Sequence, residues 1–473
     1  MRRIGIVTAI VMAVLLTFQF NTVVFAEELA SSETDAAITN GCHSIDATSA
    51  YLGTQKLTDN VTSAIAYELN SDTLMYTWNA DSTVFPSSLV KILTALLAIE
   101  QGDLQATVTV TQSALDSVPY YAASAELLAD EQMSLSDLLY CMMVGSANDA
   151  AAVIAEHISG SQTAFVEQMN AFAAEMGCTG TQFTNVHGLH DEQQYSTVRD
   201  LLRILSRAVK NEQFLQYFSA VDYVVPATNK SDARELSSSN LLMNAADSIQ
   251  LYLDSRVIGG RTGITDDGAR CLATLAEHNG MKIICIVTGS ESTFAEDGNT
   301  LTYGSFDETS KLLDACLNGY QVAQILYKDQ VMHQCDVPNG ANDVILSANE
   351  TAYSVLPAEV TVQELSYRYG DLQQLAAPIS AGQVVSNVQV WHGGFCIAES
   401  DLIAVNSVSV SQQSSNTQED ISKNSAQSIA VTILVIIGVL ACVLFLVRGI
   451  RWLRMYLDIR RGRKYRRSRR RSK

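Results

Sequence analysis

The feature that most constrains this chain is a run of 19 uncharged, mainly apolar residues near its C-terminus, from Ile429 to Val447. A helix of that length can span the hydrocarbon core of a bilayer. The segment from Arg448 to Lys473 follows directly and contains 13 lysines and arginines against one acid, Asp458. Because basic segments beside a span stay in the cytoplasm, the pattern predicts a single membrane anchor with everything before residue 429 outside.

The N-terminus carries a different apolar segment. Basic residues at Arg2 and Arg3 precede an apolar run from Ile4 to Leu16, and Val24-Phe25-Ala26 precedes Glu27. This order is typical of a secretory signal peptide that is removed after Ala26. An N-terminal membrane anchor is the alternative, but the run is short for a span.

Charge and metal-ligand spacing exclude several classes of function. The chain has a net charge of −19; the tail contributes +12 and the N-terminal arginines +2, so residues 27–447 carry −33. A body this acidic offers no surface for nucleic-acid phosphates, and a basic tail beside a span is explained by topology and anionic lipid. The nine cysteines and seven histidines lack zinc-like spacing, so neither a metal nor a cofactor is expected. The cysteines before the span permit disulfides without requiring them.

Periodicity predicts a mixed α and β body. Residues 63–77 alternate as two short strands around Asn70-Ser71-Asp72, which indicates a hairpin. Helices are predicted over 134–176, with Ser134 and Asp137 at a helix start and Gly177 as a stop. A helical apolar stripe precedes them, formed by Leu89, Ile92, Leu93, Leu96 and Leu97. Strand patterns return at Val257-Ile258, Cys271–Leu275 and Ile283–Val287, and short β-rich runs dominate residues 321–406.

The first motif with chemical meaning is Ser88-Leu89-Val90-Lys91. Residues three apart share a helix face, so the amine of Lys91 can reach the hydroxyl of Ser88. A serine nucleophile needs a neighbouring base, and a lysine kept partly neutral by desolvation or a nearby cation can serve. An ordinary surface Ser/Lys pair would show the same spacing.

Two further motifs follow in the chain. Ser146-Ala147-Asn148 lies at a predicted helix break, where a hydroxyl and an amide could relay a proton and bind a substrate backbone. Arg261-Thr262-Gly263 follows a strand pattern, and its cation, hydroxyl and bare backbone could receive a peptide that ends in a carboxylate. The S-x-N pattern alone is unspecific, because Ser238-Ser239-Asn240, Ser347-Ala348-Asn349 and Ser414-Ser415-Asn416 also match it.

In this order the three motifs resemble the signature of penicillin-binding enzymes. The chain is similar to the low-molecular-weight D-alanyl-D-alanine carboxypeptidases of peptidase family S11 over roughly residues 56–406. Segments that carry the likeness beyond the motifs are Phe183–Leu189, Tyr195–Asp200, Gly259–Gly268, Phe306–Leu313 and Ala377–Gly382.

This resemblance implies an α+β fold, with an antiparallel sheet flanked by helices as in serine β-lactamases and transpeptidases. A small all-β domain and the membrane helix would follow. The predicted segments are a signal peptide (1–26), a polar segment (27–55), a catalytic domain (56–320), a β-rich domain (321–406), a flexible stalk (407–428), the span (429–447) and a basic cytoplasmic tail (448–473).

The resemblance also implies roles for individual residues. Ser88 would form an acyl-enzyme with a peptidoglycan stem peptide and release D-alanine, with Lys91 as general base. Ser146 would relay protons, and Asn148 would orient the substrate. The strand that binds the substrate would contain Arg261, Thr262, Gly263 and Ile264. Arg261 and Thr262 would hold the terminal carboxylate. The backbone N–H groups of Ser88 and Ile264 would form the oxyanion hole. β-Lactams would be covalent inhibitors. His187 is expected to be structural.

Alternatives from other classes stay open. The family usually has lysine where this chain has Arg261, which affects efficiency and substrate preference more than reaction class. A class A β-lactamase would need a deacylating glutamate, and Glu167-Gln-Met-Asn170 is one residue short of the required pattern. A catalytically weak wall-binding sensor and a D,D-endopeptidase are the other two alternatives.

Overall fold

The computed structural model of the protein describes residues 44–47, 50–53, 56–244, 252–294 and 301–411, and in the C-terminal apolar region residues 437, 440, 443, 444, 446–453 and 455. The predicted signal peptide, most of the predicted stalk and part of the predicted span and tail lie outside these residues. Within the described residues, no helix is both long and apolar enough to cross a membrane.

The N-terminal region up to residue 317 combines helices with short and long strands. Its helices are α1 (Val90–Gln101), α2 (Gln112–Asp116), α3 (Leu135–Met143), α4 (Asn148–Ser159), α5 (Gln162–Glu175), α6 (Val198–Ala208), α7 (Glu212–Phe218) and α8 (Gly304–Leu317). Its strands are β1 (Ser63–Glu68), β2 (Thr73–Trp78), β3 (Thr107–Thr109), β4 (Gln132–Ser134), β5 (Asp222–Val225), β6 (Arg234–Ser237), β7 (Val257–Ile264), β8 (Arg270–His278), β9 (Met281–Ser290), β10 (Ser292–Phe294) and β11 (Leu301–Tyr303).

Five of these strands form the main sheet, in the order β2-β1-β9-β8-β7. Every neighbouring pair is antiparallel, which confirms the predicted sheet type. The predicted hairpin is β1–β2, and Asp72 in its turn has a left-handed φ of 53°. The strand β7 lies at the end of this order, so the third motif is on an outer strand of the sheet.

Both faces of the sheet are covered by other elements, as the alternating side chains of β9 show. Ile284 and Ile286 belong to a core cluster that includes the residues of α1. Their neighbours Ile283 and Cys285 face the opposite side and pack with residues of α8. Because successive side chains of a strand point to opposite faces, a strand buried on both sides is apolar almost throughout.

The helix α1 occupies the centre of the helical region. The sequence predicts one apolar stripe, but Val90 to Ile99 are all buried. Ser134 caps α3 by accepting a hydrogen bond from the backbone N–H of Asp137 at 3.0 Å, as its position predicts. Gly177 follows α5 with a φ of 74°, consistent with the predicted stop.

The C-terminal region is β-rich, as predicted. Its strands are β12 (Tyr320–Leu326), β13 (Val331–Cys335), β14 (Val344–Ala348), β15 (Ala352–Pro357), β16 (Ser366–Tyr369), β17 (Val384–His392) and β18 (Phe395–Ala404). A five-stranded sheet has the order β13-β14-β18-β17-β16, and β12 pairs with β15.

The described chain divides into two compact units. The larger contains the described residues up to Gln330 together with Ala348–Gly370 and Asn387–Asp401. The smaller contains Val331–Ser347, Asp371–Ser386 and the described residues from Leu402 onward. All residues of the three motifs lie in the larger unit.

Candidate active site

The candidate nucleophile lies on a tight turn in front of α1. Residues 87–89 form one turn of 3-10 helix, and Ser87 has a left-handed φ of 48°. The Ser87 hydroxyl donates to the carbonyl oxygen of Ile264 on β7 at 2.6 Å, which ties the turn to the third motif. A Cβ built on Gly188 would lie 1.9 Å from the carbonyl oxygen of Ser87. Only glycine therefore permits the loop at 188 to pack against this turn.

Lys91 is fully buried, and its amine contacts three polar groups of the site. Its Nζ is 3.1 Å from the Ser88 hydroxyl, 2.7 Å from Oδ1 of Asn148 and 2.5 Å from the carbonyl oxygen of His187. The first of these distances confirms the proximity that the S-x-x-K spacing predicts.

Burial lowers the pKa of Lys91 well below its usual value, the positive charge of Arg261 lowers it further, and Asp149 opposes the shift. A neutral amine has two N–H donors and one lone pair. The amide oxygen of Asn148 and the carbonyl of His187 can only accept, so they take both hydrogens. When Lys91 is neutral, its lone pair is left to face the hydroxyl of Ser88, which is the arrangement that a general base requires.

The second motif occupies the break between α3 and α4. Ser146 has a left-handed φ of 61°, and Asn148 begins α4 with 4% exposure. The backbone N–H of Asn148 donates to the carbonyl of Ala123 at 2.8 Å. These constraints hold the amide of Asn148 against Lys91, while the Ser146 hydroxyl faces Arg261.

Arg261 is buried between the three motifs. Its guanidinium donates to Oγ of Ser146 at 2.6 Å and to the carbonyl of Met143 at 2.9 Å, with a longer contact of 3.4 Å to the carbonyl of Ser88. Arg261 is 3% exposed, and burial lowers its pKa to about 10. The sequence predicts that Arg261 holds a substrate carboxylate, and that role stays a prediction. The contacts show a side chain that joins the nucleophile turn to the second motif.

A cleft of about 570 Å³ opens in front of these residues. Of the predicted site residues, its wall includes Ser88, Ser146, Asn148, Thr262, Gly263 and Ile264. A Cβ on Gly263 would come within 3.2 Å of the backbone nitrogen of Ser88, so the bare backbone at Gly263 keeps β7 close to the nucleophile. The structure therefore brings all eight predicted site residues together, six on the cleft wall and Lys91 and Arg261 beneath it.

The backbone of His187 contributes to the site in a way that the sequence does not indicate. Its backbone carbonyl accepts from Lys91, and its ring is buried, with Nδ1 accepting from the backbone N–H of Leu189 at 3.2 Å. Burial, and then the charge of Lys91, lower the pKa of His187 to about 3. The ring is therefore neutral at pH 7 and structural, as predicted, while the main chain positions the base.

Two other polar residues belong to the site without a strong sequence signal. Asp149 is 3% exposed and accepts from the Ser124 hydroxyl at 2.6 Å and from the N–H groups of Ala125 and Leu127 at 3.0 and 3.1 Å. It thereby anchors the loop at 124–127, and its charge opposes the lowering of the Lys91 pKa. Ser239 shares a hydrogen bond of 2.7 Å with the Thr262 hydroxyl and lines the cleft. Its tripeptide 238–240 appears in the sequence only as an unspecific S-x-N match.

The residues that a class A β-lactamase would need are placed elsewhere. Glu167 is exposed on α5 and is not part of the cleft wall. Asn170 instead pairs with the backbone of Phe183 through two hydrogen bonds of 2.8 Å. In the described part of the chain, no group of three or more His, Cys, Asp or Glu residues could hold a metal ion.

Comparison with known proteins agrees with this geometry. Residues 52–292 match the family model of D-alanyl-D-alanine carboxypeptidases, peptidase S11. Residues 320–410 match the C-terminal domain of penicillin-binding protein 5.

Individual relatives cover most of both chains. The D-alanyl-D-alanine carboxypeptidase DacF of Bacillus subtilis is 26% identical over 356 residues, which cover 74% of this chain and 86% of DacF. DacA of Haemophilus influenzae is 28% identical over 361 residues, covering 73% and 84%. The crystal structure of penicillin-binding protein 5 from Haemophilus influenzae aligns with a TM-score of 0.62 at 27% identity and covers 76% of this chain and 100% of that one.

Proposed function

The chain belongs to peptidase family S11, the D-alanyl-D-alanine carboxypeptidases, and we propose that it removes the terminal D-alanine of cell-wall stem peptides through an acyl-enzyme on Ser88. The observation that carries this proposal is the buried amine of Lys91, 3.1 Å from the Ser88 hydroxyl and held by two acceptors on its other sides.

The reaction proceeds in two steps. Ser88 Oγ attacks the carbonyl carbon of the penultimate D-alanine while Lys91 accepts the hydroxyl proton. The C–N bond then breaks, and the leaving amine of D-alanine takes up a proton that Lys91 returns, directly or through Ser146. Water hydrolyses the resulting ester and regenerates the Ser88 hydroxyl.

The remaining groups bind and polarise the substrate. The N–H groups of Ser88 and Ile264 stabilise the oxyanion, because a short helix start and an adjoining strand can aim two donors at one oxygen. Thr262 and Gly263 receive the terminal D-alanine along β7, and Asn148 keeps Lys91 oriented beside the substrate. Arg261 supplies positive charge behind the carboxylate. β-Lactams, which mimic the acylated terminus, react with the same serine.

Release of D-alanine tests the proposal. The full chain is incubated with a peptide that ends in D-Ala-D-Ala, and free D-alanine is measured together with labelling by a fluorescent penicillin. Ser88→Ala should abolish both signals. The matched control is Ser87→Ala, whose hydroxyl bonds Ile264 rather than Lys91, and it should retain labelling.

The outcomes also separate the alternatives. Labelling that persists in Ser88→Ala would place the nucleophile elsewhere. Penicillin labelling of the wild-type chain without release of D-alanine would indicate a wall-binding sensor. Cleavage of a cross-linked dimer in preference to the linear pentapeptide would indicate a D,D-endopeptidase, which the same acyl-enzyme chemistry serves.

We also propose that the protein is exported and anchored by one C-terminal span, with the catalytic domain on the extracytoplasmic face and the tail in the cytoplasm. The support is the uncharged run at 429–447 and the basic tail from Arg448. A signal peptide at 1–26 would direct export, and the segment 407–428 would act as the stalk.

A further inference from the structure

The wall of the cleft offers few charged donors to an anionic substrate. Among the described residues, the cleft-lining side chains include no lysine and no arginine. The ionisable side chains on the wall are Tyr121, His190, Asp191 and Asp266, and two of these are carboxylic acids. A substrate that ends in a carboxylate therefore needs donors other than an exposed cation.

The cation on β7, Arg261, does not line the cleft. The guanidinium of Arg261 is committed to Ser146, Met143 and Ser88, and the side chain is buried. Using it directly for the substrate would require breaking these bonds within a packed interior. Its field still acts on the cleft, because charge interactions are weakly screened in a buried environment.

Two hydroxyls stand where the carboxylate of an extended peptide on β7 would end. Thr262 is on the cleft wall, and Ser239 lies opposite, with 2.7 Å between their oxygens. Each hydroxyl has one hydrogen, so in the free enzyme one donates to the other. A bound carboxylate can accept both hydrogens, which exchanges one neutral bond for two bonds to a charged acceptor.

The Ser239 segment is held in place for this task. The neighbouring Ser238 donates its backbone N–H to Val221 at 2.7 Å, and its carbonyl accepts from the Asn244 amide at 2.8 Å. Asn240 is 1% exposed. Ser239 itself is exposed and lines the cleft, so a held backbone presents its hydroxyl, already paired with Thr262, to the cleft, and little entropy is lost when a ligand binds.

We propose that Ser239 is a specificity-determining residue, which with Thr262 forms the subsite for the terminal carboxylate of the substrate. This inference rests on the proposed function, because it presupposes a peptide acyl donor at Ser88. It assigns the direct contact with the carboxylate to two neutral hydroxyls and leaves Arg261 as the charge beneath them.

The test compares two substrates in the full chain: a peptide ending in D-Ala-D-Ala with a free carboxylate, and the same peptide ending in a carboxamide. Ser239→Ala should lower kcat/KM for the carboxylate about 10- to 100-fold, the range for a hydrogen bond to a charged group. Its kcat/KM for the carboxamide should stay within about twofold of the wild type. Ser239→Thr keeps the hydroxyl and should retain most of the activity.

Ser237→Ala is the matched control. Ser237 lines the same cleft, but its hydroxyl donates to Asp222 at 2.7 Å and accepts from Asn244 at 2.9 Å. Its loss should leave the ratio of the two substrates unchanged. An equal loss on both substrates in Ser239→Ala, or no loss on either, would overturn the assignment. A wild-type chain that releases no D-alanine from either peptide would contradict the proposed function, and this inference with it.

Discussion

Removal of the Arg261 cation should change both the stability of the protein and the pH dependence of catalysis. Burial lowers the pKa of Arg261 from its usual 12.5 to about 10, which corresponds to about 3 kcal/mol of unfavourable desolvation. Against this, three hydrogen bonds from a charged donor contribute about 1.5–3 kcal/mol each. The hydrogen bonds outweigh the desolvation, so Arg261→Ala should lower the free energy of unfolding by roughly 1.5–6 kcal/mol.

The effect on catalysis passes through Lys91. The positive charge of Arg261 contributes to the lowered pKa of Lys91, after burial. Without that charge the pKa of Lys91 rises, and less of the amine is neutral at a given pH. The acidic limb of the kcat/KM profile should therefore move to higher pH in Arg261→Ala. Arg261→Lys keeps the charge and should keep the limb near its wild-type position, although a lysine cannot reach all three acceptors.

The assay is the second-order rate of acylation by a fluorescent penicillin between about pH 5 and 10, with urea unfolding of the same variants as the measure of stability. The carboxamide peptide separates the two possible roles of the cation. If Arg261 acts only on the carboxylate, wild type and Arg261→Ala should process the carboxamide equally. An acidic limb at the same pH in all three proteins would refute the electrostatic coupling to Lys91.

Three other predictions test the base, the nucleophile turn and the topology. The pKa of Lys91 is lowered in the folded state, so at this residue the unfolded chain binds more protons between that lowered pKa and about 10.5. Buried cysteines with raised pKa values act in the opposite direction, so the prediction concerns the difference between two proteins. The slope of unfolding free energy against pH should be more positive in the wild type than in Lys91→Met, and equal slopes would contradict a lowered lysine pKa. Gly188→Ala places a Cβ 1.9 Å from the carbonyl oxygen of Ser87 and should greatly slow penicillin acylation. The control is Gly177→Ala, which has a similar φ but nothing within 4 Å of the added Cβ, and it should cost only about 1 kcal/mol of stability. Similar acylation rates in the two variants would contradict the packing argument. External protease on intact cells should release a large soluble fragment by cutting within 407–428, and complete protection until the membrane is opened would contradict the proposed orientation.

Much of the local structure followed from the sequence because it depends on near neighbours. Alternation at 63–77 predicted the β1–β2 hairpin, and i, i+3 spacing placed Lys91 beside Ser88, since both are properties of one regular element. The break at Ser146 followed from the preceding glycine and the limits of the helices around it. The order of the three motifs identified the family before any tertiary contact was known.

Other features depend on contacts between residues far apart in the chain. Periodicity marked one apolar stripe on α1, but its burial on all sides follows from where the sheet and the other helices pack. The carbonyl of His187 reaches Lys91 across 96 positions of sequence, and a backbone acceptor leaves no trace in side-chain patterns. Ser239 meets Thr262 only because the segment after β6 packs beside β7.

By itself the sequence determined the proximity of Ser88 and Lys91, the sheet type and the family, because short spacings, strand periodicity and the order of the motifs encode them directly. Only the tertiary structure decided where the guanidinium of Arg261 points. Arg261 reads in sequence as a carboxylate-binding group on a strand, but its orientation depends on which acceptors the rest of the fold brings to it. The guanidinium is surrounded by three acceptors, the carbonyls of Met143 and Ser88 and the hydroxyl of Ser146. Because a buried charge without hydrogen-bond partners costs much free energy, the side chain bonds these acceptors rather than pointing into the cleft.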